Sequence, residues 1–121
     1  GLTLAATKAF IEKNPQTVRA MVQALNRGTI DTIKDPAAAL KVMKGVDAMM
    51  KEDVEKVRLD LALSVTNTKW VKEHGLSVAQ PERIKFTIDS VAAAYGIANA
   101  PKPEDVYNDK FLPPVAERMV K

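Results

Sequence analysis

Side chains that could do chemistry are few in this chain, and each lacks the neighbours that a reaction would need. His74 is the only histidine, and there is no cysteine. A zinc site takes three or four nitrogen, sulfur or carboxylate ligands, and no second histidine is present to supply one. Ser64 or Ser77 could be paired with His74 on paper, but neither serine stands in the sharp turn motif of a catalytic nucleophile. The sequence therefore predicts no catalytic residue, no metal site and no enzyme.

Acidic side chains gather at one place, where Glu52, Asp53 and Glu55 precede an apolar stripe. On a helix these three carboxylates point to different faces, and the helix dipole favours acidic residues in the first turns. We interpret them as a helix start rather than as the carboxylate pair of a hydrolase. The 5 glycines are scattered without the spacing of a phosphate-binding loop, so no cofactor is predicted.

The least regular stretch, residues 67–80, holds the candidate ligand-binding residues. Hydrophobic periodicity fades there, and the only tryptophan, Trp70, lies within it. Loops often carry binding residues, and an indole ring can stack on a flat ligand. Asn67, Thr68 and Trp70 are therefore the candidates, with the alternative that Trp70 only seals the edge of the core.

Composition limits the class of protein. The chain has 121 residues, 46% apolar and 27% charged, which is typical of one soluble globular domain. Its net charge is +3, and basic and acidic residues are interspersed. No run of basic residues with aromatics predicts a nucleic-acid groove, and no apolar run approaches the roughly 20 residues of a membrane span. The methionines Met43, Met49 and Met50 favour either a soft binding surface or core filling.

The elements that must position these residues are mainly helices. Asn14-Pro15 and Asp35-Pro36 each join an N-cap residue to a proline at the first helical position, and Pro81 begins a later helix. Apolar residues then recur at the helical spacing of three, four and seven. The three predicted stripes are Val18, Met21, Val22, Leu25, Ile30 and Ile33, then Val54, Val57, Leu61 and Val65, then Ile84, Ile88, Val91 and Tyr95.

Helix boundaries follow from the same signals. We expect about five helices within residues 7–96, the first capped by Thr7 and a short one ended by Gly45. Gly96 should end the helix that Pro81 begins, and residues 67–80 should be a loop with at most a ragged helical start. Asn26 is assigned to the side away from the apolar stripe of its helix.

The two ends of the chain are predicted to be extended. Residues 2–6 form an apolar run that favours a strand, yet a lone strand leaves its backbone groups unpaired. Either these residues extend the first helix, or their partner sheet lies outside this chain. Residues 97–121 are interpreted as a clasp with a short tail helix, in which Tyr107, Phe111 and Leu112 pin the segment and Pro113-Pro114 stiffens it.

The order of these motifs resembles a known family. The segments concerned are Phe10, Asn14-Pro15, VRAMVQALNRG at 18–28, Asp35-Pro36, Gly75-Leu76, the helix from Pro81 to Ile88 and VYNDKFLPP at 106–114. Together they are similar to the C-terminal half of substrate-binding proteins of ABC importers, in the NMT1/THI5-like group with its nitrate, sulfonate and taurine-binding relatives. One departure is Ile84, where many members carry tryptophan.

The resemblance implies a two-lobed α/β fold of the periplasmic-binding-protein type II class, of which residues 1–121 form one C-terminal segment. It implies a small-molecule solute, such as a pyrimidine precursor, sulfonate, nitrate or taurine-like compound, delivered to an ABC permease from a periplasmic or extracytoplasmic location. Because the chain begins at Gly1 rather than Met, we expect further sequence upstream. We also expect that the segment alone self-associates.

Two alternatives stay open. The first is a free-standing helical protein-interaction domain, which would bury one helix face and offer another to a partner. The second is an enzyme resembling the THI5-like pyrimidine synthases, which use a histidine of their own as substrate. His74 does not stand in a matching motif.

Overall fold

Eight helices follow one another in the computed structural model, which describes residues 3–120. They are α1 (Lys8–Lys13), α2 (Pro15–Lys34), α3 (Pro36–Val46), α4 (Glu52–Thr66), α5 (Lys69–His74), α6 (Pro81–Tyr95), α7 (Pro103–Val106) and α8 (Val115–Arg118). No strand occurs within residues 3–120. The prediction of a mainly helical chain is confirmed. Within residues 7–96 the structure has six helices where about five were expected, because α5 forms in a stretch without apolar periodicity.

The predicted strand at residues 2–6 is not formed by the residues that the structure describes. Thr3 to Thr7 have no regular secondary structure, and helix α1 begins only at Lys8. Leu2 lies outside the described residues. Residues 3–6 therefore do not extend helix α1. No second strand within residues 3–120 offers backbone partners, so a strand paired with a sheet outside this chain stays a prediction.

Capping explains most helix starts. The Thr7 hydroxyl accepts a hydrogen bond of 3.2 Å from the Phe10 amide, and Asp35 Oδ1 accepts one of 2.9 Å from Ala38. Both caps were predicted. Asn14 departs from prediction, because its side chain makes no cap bond to α2 and its Nδ2 instead donates to the Phe10 carbonyl at 3.3 Å.

Helix ends follow prediction at one of two glycines. Gly96 adopts a left-handed conformation with φ of 64° directly after α6, as expected. Gly45, however, lies inside α3, which continues to Val46. The turn comes two residues later, where Asp47 Oδ1 accepts a hydrogen bond of 3.0 Å from the Met49 amide.

Helix packing runs through α1 on α2, α2 on α3, α3 on α4 and α8 on α2, while α6 packs with α7. The buried apolar side chains are few: Ile30, Leu40, Met50, Leu76 and Ile88. The solvent-accessible surface of the chain is 9390 Å². A compact folded monomer of 13.2 kDa exposes about 6,400 Å². The excess of about 3,000 Å² indicates helices with faces left uncovered in the single chain.

Two predicted stripes differ from the faces that the structure covers. In α2, Asn26 belongs to the inward face and is only 4% exposed, so its assignment to the outer side was wrong. Val22 and Ile30 flank it at the helical spacing of four. In α4, the stripe that contains Val57 and Leu61 faces solvent, with 68% and 67% of these side chains exposed. The periodicity was read correctly, but period alone does not tell which of two apolar faces finds a partner.

Candidate functional site

The stretch around the candidate ligand-binding residues is more ordered than its sequence suggests. The Thr68 hydroxyl caps α5 by accepting a hydrogen bond of 3.3 Å from the Val71 amide. The Trp70 indole Nε1 donates to the Val78 carbonyl at 2.9 Å. Thus Thr68 starts the helix and Trp70 ties the following loop back to it. Residues 67–80 were predicted to be a loop with at most a ragged helical start, and in the structure this start is the six-residue helix α5, followed by a turn.

One face of the Trp70 ring is occupied by His74. The two rings stack with centroids 3.7 Å apart and planes inclined by 13°. His74 Nδ1 also lies 3.1 Å from the Trp70 carbonyl oxygen, one helical turn earlier. A flat ligand could therefore stack on Trp70 only from the side that His74 leaves uncovered.

Asn67 is the candidate with an unsatisfied polar atom. It follows the last residue of α4, and its backbone N–H donates to the Leu63 carbonyl at 2.8 Å. Its side-chain Oδ1 is buried without a hydrogen-bond partner. A buried acceptor left unpaired is unfavourable by about 1–3 kcal/mol, so a donor at this position would be stabilised. Of the three candidates, Asn67 is the one with a buried side-chain atom that lacks a hydrogen-bond partner.

A buried arginine joins the C-terminal tail to the loop after α5. Arg118 is 5% exposed. Its Nη1 donates to the Leu76 carbonyl at 2.7 Å, and its own carbonyl accepts a hydrogen bond of 2.8 Å from the Leu76 amide. Its Nε donates to the Pro113 carbonyl at 2.8 Å. We refer to the two reciprocal bonds between Arg118 and Leu76 as the Arg118 bridge.

Gly75 makes room for the Arg118 bridge. Its backbone has φ of 85° and ψ of 165°, a region that residues with a side chain rarely adopt. A Cβ at Gly75 would lie 3.2 Å from Arg118 Cβ and 3.3 Å from the Arg118 carbonyl oxygen. The Gly75-Leu76 pair of the sequence thus marks the place where the tail approaches the loop backbone.

A second set of polar contacts links the same loop to α2 and to the tail. Ser77 has φ of 63°, and its hydroxyl donates to Asn26 Oδ1 at 3.2 Å. Asn26 Nδ2 donates to the Val22 carbonyl at 2.9 Å. The Tyr107 hydroxyl donates to the Ser77 carbonyl. Burial raises the pKa of the Tyr107 phenol, and Asp109 acts in the same direction, whereas the Ala79 backbone and Arg118 act against them.

Sequence reasoning missed Asn26 and Arg118 as organising residues. Asn26 is the polar member of an otherwise apolar stripe at spacing four, and that position was the available signal. No sequence signal marked Arg118 as buried, because arginine side chains are ordinarily exposed to solvent. Additional contacts hold the tail at its surface: Glu117 accepts a hydrogen bond from Gln23 at 3.4 Å, and the Arg19 guanidinium lies 5.8 Å from the centre of the Phe111 ring.

The surface also has two open grooves, which Asn67, Thr68 and Trp70 do not line. The larger, of about 680 Å³, lies between the end of α3 and the start of α4. Its walls are apolar and its rim is charged: Val42, Met43, Val46, Met49, Met50 and Val54 form the walls, and Asp47, Lys51, Glu55 and Arg58 the rim. Met50 is buried, but Met43 and Met49 are 45% and 91% exposed. Met50 thus fills the core, whereas Met43 and Met49 line the groove, and a binding role for them stays a prediction.

The second groove, of about 400 Å³, separates α2 from α4. Gly28 and Thr29 contribute to one wall, and Ala62 and Thr66 to the other. Within residues 3–120, no group of three His, Asp or Glu side chains is placed to hold a metal ion. In the same part of the chain, no helix has the length and apolar character needed to cross a membrane.

Comparison with known proteins gives one match. A family model described as NMT1/THI5 like matches residues 1–39 of the chain. No curated protein and no solved structure matches this chain significantly. The matched residues cover α1, α2 and the first turn of α3, including the caps at Thr7 and Asp35. The likeness to the NMT1/THI5-like family is thus supported over the first third of the chain.

Proposed function

We propose that the chain is a C-terminal, helical part of a solute-binding protein that serves an ABC importer. The observation that carries the proposal is the NMT1/THI5-like match over residues 1–39. The remaining motifs, from Gly75-Leu76 to the FLPP tail, continue the same resemblance in the expected order. The complete protein would capture a small solute, such as a pyrimidine precursor, sulfonate, nitrate or taurine-like compound, and deliver it to a permease outside the cytoplasm.

The surface of the chain supports a role as part of a larger body. About 3,000 Å² is exposed beyond what a compact monomer of this mass exposes. The uncovered area includes large apolar side chains on α3 and α6, among them Val46 at 87%, Phe86 at 72% and Tyr95 at 80% exposure. Burial of apolar surface is worth about 25 cal/mol per Å². Covering such faces with the other parts of a two-lobed protein would therefore be strongly favourable.

The contacts in the chain support a mainly architectural role for its polar residues. Arg118, Tyr107 and Asn26 are engaged with backbone or side-chain partners that hold the tail, the loop and α2 together. A binding protein needs no reactive group, only a cleft with a few well-placed polar atoms. The buried Asn67 Oδ1, which has no partner in this chain, is compatible with a contact to another part of a larger protein.

A second candidate rests on the same family match. The family description reads NMT1/THI5 like. The THI5-like pyrimidine synthases that the sequence resembles form the thiamin pyrimidine. For this candidate the complete protein would release a pyrimidine product formed from its own histidine. The two candidates differ in a direct way, because a binding protein returns its solute unchanged and is not consumed.

The test uses the protein encoded by the whole reading frame to which this chain belongs. Isothermal titration calorimetry with a pyrimidine precursor, taurine, an alkyl sulfonate and nitrate should give saturable binding of one solute class, and mass spectrometry should recover that solute unchanged. The chain alone, as the comparison, should bind weakly or not at all because it lacks most of the cleft. Saturable micromolar binding to the chain alone would contradict the proposal, and consumption of a protein histidine would select the enzyme.

A further inference from the structure

An apolar stripe on α4 faces solvent along the whole helix. It consists of Val54, Val57, Leu61 and Val65, which are 42%, 68%, 67% and 69% exposed. We call these four residues the outer stripe. The opposite side of the same helix, with Leu59 and Leu63, is half-buried and lines the groove toward α2. Helix α4 therefore carries two apolar faces, and the protein covers only one of them.

The charges beside the outer stripe are sorted by sign. At 100° per residue, Arg58 lies on one flank of the stripe, and Asp53 and Asp60 lie on the other. In heptad terms Val54 and Leu61 take position a, Val57 and Ser64 position d, Arg58 and Val65 position e, and Asp53 and Asp60 position g. Asp53 and Arg58 are thus the one g–e pair of opposite charge on α4. A heptad with apolar a and d positions and opposite charges at e and g is the pattern by which two helices pair.

We propose that the outer stripe binds the outer stripe of a second copy of this chain, with the two α4 helices parallel about a two-fold axis. A parallel two-fold pair places the g flank of one helix beside the e flank of the other. Asp53 of each copy then faces Arg58 of the other, five residues further along, which is the ordinary spacing of such a pair. An antiparallel pair places like flanks together, arginine beside arginine and aspartate beside aspartate. The charges therefore select the parallel arrangement.

Existing ion pairs on α4 are compatible with this pairing. Arg58 Nη1 contacts Glu55 Oε1 at 2.7 Å, and Lys56 contacts Asp60 at 2.7 Å. A guanidinium has five N–H donors, so Arg58 can hold Glu55 and also reach a second carboxylate. Its side chain is 71% exposed, so the donors that point away from Glu55 are accessible. The Ser64 hydroxyl donates to the Leu61 carbonyl at 2.7 Å, which satisfies this polar group at a d position.

The surface that the chain leaves exposed is compatible with such a dimer. A standard interface takes about 800 Å² from each partner. The whole chain exposes about 3,000 Å² beyond a compact monomer, and the outer stripe is one part of that surface. The apolar side chains on α3 and α6 stay uncovered by it. The pairing is therefore independent of the proposed function, which assigns those faces to other parts of a larger protein.

Cysteine trapping tests the pairing directly, because the chain has no cysteine of its own. Val57→Cys and Ser64→Cys each place a thiol at a d position, where a parallel pair brings the two copies of the same residue together. Both variants should form disulfide-linked dimers under mild oxidation much faster than the matched control Phe86→Cys, which is 72% exposed on α6. Equal rates for all three variants would overturn the proposal.

A charge exchange tests the orientation. Analytical ultracentrifugation of the whole chain should show a reversible dimer, weakened about tenfold by Asp53→Arg or Arg58→Asp alone, since each replaces two exposed attractive pairs with repulsive ones. The double variant should restore the dimer. Leu61→Glu should abolish it, whereas the control Phe86→Glu should not, with circular dichroism verifying equal helix content. A chain that stays monomeric up to about 1 mM, or a double variant without restored affinity, would contradict the parallel pair.

Discussion

Gly75→Ala should destabilise the protein more than any other exchange of one glycine for alanine in the described chain. Two features of Gly75 disfavour a side chain at this position. Its backbone φ is 85°, and Arg118 packs so closely against it that a Cβ atom has no room. The nearest atoms to an added Cβ are Arg118 Cβ at 3.2 Å and the Arg118 carbonyl oxygen at 3.3 Å. The carbonyl belongs to the backbone and cannot rotate away as a side-chain end does.

The expected loss of stability is the sum of two contributions, one from the backbone conformation of Gly75 and one from its contact with Arg118. A residue with a side chain in this backbone region is unfavourable by about 1–3 kcal/mol. Moving the Arg118 carbonyl away from a new methyl group strains the 2.8 Å hydrogen bond that it accepts from Leu76, worth about 1 kcal/mol. We therefore expect Gly75→Ala to lower the free energy of unfolding by about 3 kcal/mol.

Gly96→Ala is the matched control. Gly96 also has a positive φ, 64°, but no atom lies within 4 Å of the position where its Cβ would stand. Its replacement should lower stability by about 1 kcal/mol, the value for a left-handed residue in open space. Urea unfolding followed by circular dichroism gives both free energies, and hydrogen exchange should show lost protection in the tail for Gly75→Ala only. Equal destabilisation by the two variants would refute the role given to the Arg118 bridge.

The other predictions concern single contacts. Arg118→Met should lower the free energy of unfolding by about 2–4 kcal/mol because it leaves two carbonyls without donors, whereas Arg58→Met, at an exposed ion pair, should change it by under about 0.5 kcal/mol in the same urea titration. Asp35→Ala should lower it by about 1 kcal/mol through the lost cap, and Asn14→Ala, which has no cap bond, by less; equal values would contradict this account. Because burial raises the pKa of Tyr107 above 10.0, its contribution is present at neutral pH and is lost as pH rises through the folded-state pKa. The stability difference between the wild type and Tyr107→Phe should accordingly shrink above about pH 10, and a difference independent of pH would contradict it.

Helix starts were predictable because they depend on neighbours in the sequence. Asp35 and Pro36 satisfy the first turn of α3 by themselves, whatever the rest of the chain does. Thr7 does the same for α1. The apolar period of α4 was equally local and was found correctly. What the sequence could not reveal is the partner of each face, because Leu59 and Val57 are equally apolar and lie on opposite sides of the same helix.

In the candidate site, too, the sequence did not reveal which groups contact each other. Trp70 was predicted to contact a ligand because of its residue type. In the structure its indole N–H donates to the Val78 carbonyl, and His74 stacks on one face of its ring. Arg118 was overlooked because its burial depends on contacts 42 residues away in the chain. A contact between residues so far apart in the chain produces no periodic pattern in the sequence, so it is seen only in the folded structure.

The most direct test of the central claim, that this chain is part of a solute-binding protein, is solute binding by the complete encoded protein and by the chain alone, measured side by side by calorimetry. The account predicts saturable binding of one small solute to the complete protein, recovery of that solute unchanged, and no comparable binding to the chain alone. Full-strength binding by the chain alone, or no binding by the complete protein across the pyrimidine, sulfonate, taurine and nitrate panel, would contradict it.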